Sequence, residues 1–157
     1  MTGKLQAALI LLCCLAAAYA CSSMPRRLAP PQVELARLQL LEAGFEGQRF
    51  AVELMLNNPN AADIPVRMVE FDVRLGGEGM LEGRSLAAFT LPANGSHAVE
   101  LEVFSNLVSS ASRLMSFARG PANALEYEIQ GALTLDAAMR EPLRFYHRGQ
   151  VPLLLAP

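Results

Sequence analysis

Two pairs of glutamates offer the first chemistry to consider. Glu100 and Glu102, and again Glu126 and Glu128, stand two residues apart in runs that alternate with apolar residues. In an extended strand that spacing puts both carboxylates on one face, the arrangement a general acid–base pair or a cation site would use. The alternation has a plainer consequence as well. Acids interleaved with Val99, Leu101 and Val103, or with Leu125, Tyr127 and Ile129, form the solvated face of a half-buried strand. His97 and His147 have no partner at metal-ligand spacing and read as surface residues. The serines build no G-x-S-x-G elbow, and Ser109, Ser110 and Ser112 fall on the polar side of a helical pattern. The GGEG run at 76–79 lacks the following Lys and Ser/Thr of a phosphate-binding loop and reads as a hairpin turn. No catalytic, cofactor or metal residue is assigned, and the expectation is a protein that is not an enzyme.

The chain that must position these residues has 157 of them, one domain's worth. It is 52% hydrophobic and 18% charged with a net charge of -2, the reverse of the balance that keeps a chain disordered, so it should fold. Its only lysine is Lys4, and its arginines are scattered apart from Arg26 and Arg27. That distribution offers no basic stripe for nucleic-acid phosphates.

The first twenty residues read as an export signal. A positive end, MTGK, precedes the apolar run LQAALILLCCLAAA, which is shorter than the roughly 20 residues that a membrane span requires. The run ends in Ala18, Tyr19, Ala20 and Cys21. Ala-Tyr-Ala has the small-x-small form of ordinary signal-peptidase cleavage, which would release a soluble periplasmic protein. Ala-Tyr-Ala-Cys also resembles the lipobox of bacterial lipoproteins, although Leu is usual where Ala18 stands. Cys13 and Cys14 leave with the signal, so Cys21 would be the one mature cysteine, and lipidation accounts for a lone exported thiol. Ser22 rather than Asp after it resembles lipoproteins sorted to the outer membrane. The stretch 21–31, with Pro25, Pro30 and Pro31, is then a tether that spans about 30 Å when extended.

From residue 32 onward period two dominates. Phe50, Val52, Leu54 and Leu56 alternate with partly polar neighbours, as do Val69, Phe71, Val73 and Leu75. Strands are also expected at 33–41, 84–91, 99–103, 125–133, 143–146 and 151–155. Asn94 and Gly95 supply hairpin-turn chemistry, so the strands on either side should pair. Leu107, Ala111, Leu114 and Ala118 recur at helical spacing between Ser105 and Pro121, which predicts one short helix in a connection. Short strands with one buried face each, separated by turns, indicate an antiparallel β-sandwich over 32–157. Seven Phe and seven Met would suit a lipid pocket between sheets, but a sandwich core needs the same residues.

Between the second and third of these runs lie Asn58, Pro59 and Asn60, turn chemistry by residue type. The order Phe50, Val52, Leu54, Leu56, Asn58, Pro59, Asn60, Ile64, Pro65, Val66, followed by a Gly-Gly turn, the LPANG turn and a closing Tyr127-x-Ile129-x-Gly131-x-Leu133, resembles type 2 late embryogenesis abundant proteins with a WHy (water stress and hypersensitive response) domain. The resemblance implies a small β-sandwich of fibronectin or immunoglobulin type bearing one helix. It also implies association with desiccation and other stress, protection of client proteins, and neither catalysis nor a cofactor. The expected partners are a membrane through the anchor and stressed client proteins; the alternatives are an envelope adaptor that binds one protein by strand addition, or a lipid-binding sandwich.

Overall fold

The computed structural model describes residues 28–44, 47–77, 79–105, 124–136 and 141–155. Eight strands run through them: β1 (Gln32–Ala43), β2 (Gln48–Asn57), β3 (Ile64–Leu75), β4 (Gly79–Ser85), β5 (Phe89–Leu91), β6 (Ser96–Ser105), β7 (Ala124–Leu135) and β8 (Leu143–Leu155). The alternating runs fold as their pattern dictates. In β2 the side chains of Phe50, Val52, Leu54 and Leu56 are buried while the residues between them are only half-buried. Two strands change phase along their length. β1 buries Val33 and Leu35 but then Leu38 and Leu40, and β3 buries Ile64 and Val66 but then Val69, Phe71, Val73 and Leu75. The switch from one parity to the other coincides with register shifts between Leu35 and Arg37 and between Val66 and Met68. An extra residue at each bulge keeps the apolar side inward, where an unbroken ladder would have turned half of each strand outward.

The strands form one sheet in the order β4-β3-β7-β8-β1-β2-β6, with β5 also paired to β3. The two-sheet sandwich of fibronectin or immunoglobulin type expected from the sequence does not form. Its failure lies in β8, which was expected as two short strands and is one long one. Leu143 to Pro152 pair with β7, and Leu153 to Leu155 then pair with β1, so hydrogen bonding passes without a break from one half of the sheet to the other. The β1–β8 ladder is also parallel, a departure from the antiparallel expectation. The sheet curls until its outer strands β4 and β6 lie alongside each other, with Cα atoms within 8 Å but no ladder between them, and it is nearly closed into a barrel. The predicted helix falls on 106–121, outside the described residues.

Three aromatic side chains lie across glycines on the inner face. Phe71 stands opposite both Gly83 and Gly131, Phe145 opposite Gly131, and Tyr127 opposite Gly149. A Cβ on Gly131 would meet the Glu70 carbonyl oxygen and the Phe145 ring, and one on Gly149 would come within 2.8 Å of the Tyr127 hydroxyl. The missing side chains leave room for the rings to lie flat over neighbouring backbone, the cross-strand rescue of glycine by aromatics. Tyr127 uses that room to pass beneath β8. Its hydroxyl accepts a 3.1 Å hydrogen bond from the N–H of Leu35, beside the β1 bulge, where no β8 ladder pair reaches.

Candidate functional site

The asparagine turn expected to end β2 is a junction of three chain segments. Asn58 is buried at 3% exposure, and its amide group donates to the carbonyls of Ala62 (2.9 Å), Pro92 (2.9 Å) and Leu91 (3.3 Å). Its Oδ1 accepts from both the backbone N–H and the side-chain amide of Asn60, each at 2.9 Å. Pro59 between them fixes φ, which holds the turn in the geometry that lets Asn60 fold back onto Asn58. Asn60 in turn meets the segment before β1: its Oδ1 accepts from the N–H of Ala29 at 2.8 Å and its Nδ2 donates to the carbonyl of Ala29 at 3.0 Å. This two-way pairing reproduces with a side chain what one rung of a ladder does with backbone.

The 92–95 turn completes the junction. Gly95 donates to the carbonyl of Pro92 (3.1 Å), Asn58 N–H to that of Gly95 (2.9 Å), and Asn94 N–H to that of Asn60 (2.9 Å). Asp63 Oδ1 accepts from Ala93 N–H at 2.8 Å. The hairpin expected at Asn94 and Gly95 is absent, because β5 pairs with β3 while β6 pairs with β2. The reason is in the turn. Of its two central residues, Ala93 and Asn94, only Asn94 has positive φ (50°), whereas both turns that join paired strands with the right twist need it at the first. It therefore carries the chain across from β3 to β2.

The remaining candidates stay apart. Glu100, Glu102 and Glu126 are exposed, Glu102 lies 3.9 Å from Arg49, and Glu128 pairs with Arg148 at 2.9 Å. Arg148 Nε also donates to the Tyr146 hydroxyl, and that bond, with Glu128 next in effect, holds its guanidinium more firmly charged than usual. Both histidines are half-buried rather than on the surface. His97 stacks on Phe89 with ring centroids 4.1 Å apart, and His147 sits beside Tyr127 at 6.0 Å. Burial pushes the Tyr127 phenol above its ordinary value of 10.0, against the opposing pull of the Leu35 hydrogen bond. Gly76 and Gly77, with φ of 57° and 81°, make the expected hairpin turn between β3 and β4. Cys21 and Ser109, Ser110 and Ser112 lie outside the described residues. Among the described residues no three His, Cys, Asp or Glu side chains gather as a metal site, and no helix is long and apolar enough to cross a membrane.

What the geometry builds is an all-β sheet locked at one end by a buried asparagine network. A family model of late embryogenesis abundant proteins, LEA_2, matches residues 53–145, and the chain belongs to that family. Its fold is shared with the Arabidopsis thaliana protein AT1g01470, whose solution structure aligns at a TM-score of 0.58 with 16% identity over 83% of this chain and 85% of that one. A protein described as late embryogenesis abundant, At2g46140.1, aligns at 0.50 with 13% identity over 96% and 87% of the two chains. No curated protein matches by sequence.

Proposed function

We propose that this is a non-enzymatic WHy-type module, carried on a lipidated Cys21 and a tether at 21–31, that protects envelope proteins or surfaces during desiccation and related stress. The observation that supports it is family membership over 53–145 together with an Ala-Tyr-Ala-Cys motif ahead of the fold. The membrane and stressed proteins are its partners, and its place is the periplasmic side of the bacterial outer membrane. The family link fits a stress role, and the charge balance fits a folded shield rather than a disordered polymer. Leu86, 72% exposed, and Phe104, 61% exposed, are the apolar side chains best placed for weak client contact. The decisive assay is freeze–thaw inactivation of a labile enzyme in the presence of the protein or of equal albumin. Better retention of activity than albumin gives is the expected result, and parity removes the protective role. Palmitate labelling should mark the protein and disappear with Cys21→Ala; label that persists would rule out this anchor.

A further inference from the structure

Asn94 is exposed and is followed by glycine, the pair in which a backbone nitrogen reaches the preceding side-chain amide with least hindrance. The other asparagines of the junction are poorly placed for this attack. Asn58 is followed by Pro59, whose nitrogen has no hydrogen to give up, and Asn57 and Asn60 are followed by residues with a Cβ in the way. One junction therefore holds both an immune asparagine and a vulnerable one. Its hydrogen bonds fall on the atoms that would react. Gly95 N–H, the nucleophile, donates to the Pro92 carbonyl at 3.1 Å, and that carbonyl is gripped in turn by the buried Asn58 amide at 2.9 Å. Asn94 N–H is tied to the Asn60 carbonyl, and the Gly95 carbonyl to Asn58 N–H, each at 2.9 Å. Both peptide groups beside Asn94 are thus pinned, in a turn where Asn94 holds a φ of 50°. Attack requires the Gly95 nitrogen to leave Pro92 and swing toward the Asn94 side chain.

We propose that Asn94 is a site of spontaneous deamidation that the asparagine junction holds shut, so that each opening of the junction exposes it to an irreversible change. In the open turn the Gly95 nitrogen bonds to Cγ of Asn94, its proton passes to the departing nitrogen, and ammonia leaves. Water then opens the succinimide ring at either carbonyl and gives aspartate or isoaspartate, with water as the one co-reactant and no change of oxidation state. Neither product restores the lock. Aspartate places a second carboxylate in the turn that Asp63 already caps, where its Oδ1 accepts from Ala93 N–H at 2.8 Å. Isoaspartate adds a backbone carbon between residues 94 and 95, which displaces the three backbone bonds made by their peptide groups. Opening alone is reversible, but opening followed by this reaction is not. The inference is independent of the protective role.

The test follows deamidation of the purified full chain in mildly alkaline buffer, by mass spectrometry of the tryptic peptide spanning 85–113, with fragment ions locating the change. With three backbone bonds to break, the folded chain should react about a hundredfold more slowly than the same chain in urea. Asn60→Ala removes the fold-back onto Asn58 and Ala29 and should speed the folded reaction about tenfold. Asn58→Ala frees the Pro92 carbonyl as well and should speed it further. Tyr127→Phe loses a bond to Leu35, away from this turn, and should leave the rate unchanged, which separates opening of the junction from unfolding of the whole sheet. In urea, Gly95→Ala should slow the reaction, because a Cβ hinders the attacking nitrogen. A folded parent that reacts as fast as the urea-unfolded chain, equal acceleration by Asn60→Ala and Tyr127→Phe, or a Gly95→Ala chain that reacts at the parent rate in urea would overturn the inference.

Discussion

Replacing Asn58 tests whether the buried amide network, rather than the turn alone, holds this end of the sheet. Asn58→Ala removes two donor bonds of 2.9 Å to Ala62 and Pro92, a longer one to Leu91, and the acceptor for both the N–H and the side-chain amide of Asn60. At about 1 kcal/mol net for each of the four shorter bonds, the loss should be about 4 kcal/mol. Asn58→Asp keeps the shape but replaces the donor with an oxygen facing three carbonyl oxygens. That variant should be at least as unstable as Asn58→Ala near neutral pH. It should also recover on acidification. Burial among carbonyls raises the folded-state pKa of the introduced acid above the unfolded value of about 3.9, so its share of stability is present below that value and is lost as pH rises through the folded pKa. The assay is urea unfolding followed by tyrosine fluorescence, since the chain has no tryptophan. A cost below about 1 kcal/mol for Asn58→Ala, or an Asn58→Asp variant as stable as the parent at neutral pH, would refute the network as the lock.

Three further changes probe the interior. Gly131→Ala should cost about 1–3 kcal/mol in the same urea assay, because its Cβ meets the Glu70 backbone and the Phe145 ring. Gln48→Met should stabilise by about 1–3 kcal/mol, since Gln48 is 1% exposed and neither side-chain polar atom is bonded among the described residues. Tyr127→Phe leaves the Leu35 N–H without its acceptor and should cost about 1–2 kcal/mol. With its pKa raised, Tyr127 contributes stability that is full below about pH 10 and is lost as pH rises through the folded value, so unfolding curves taken at alkaline pH should show a fall in the parent that Tyr127→Phe lacks.

The strands were legible because alternation is local. Even the bulges in β1 and β3 are written in the sequence, as apolar residues that change parity after Leu35 and after Val66. The topology was not legible, since it turns on which neighbour the end of β8 takes. Nothing in Leu153, Leu154 and Leu155 announces a parallel partner more than 110 residues earlier in β1. The asparagine motif was half-read. Its residue types announce a turn, but the acceptors of the Asn58 amide at Leu91 and Pro92 lie 33 and 34 residues away, and the Asn60 partner Ala29 lies 31 residues away.

The seam between β4 and β6 has a kinetic consequence. Long strand edges invite other chains, and proteins commonly blunt them with charge, proline or a covering loop. Here each of these two edges shields the other, close enough to exclude a visiting strand yet without a ladder to hold them together. A partner that added a strand there would have to wait for the seam to part. Its association rate would then level off with rising partner concentration at the rate of opening, whereas contact through exposed side chains such as Leu86 and Phe104 would keep accelerating.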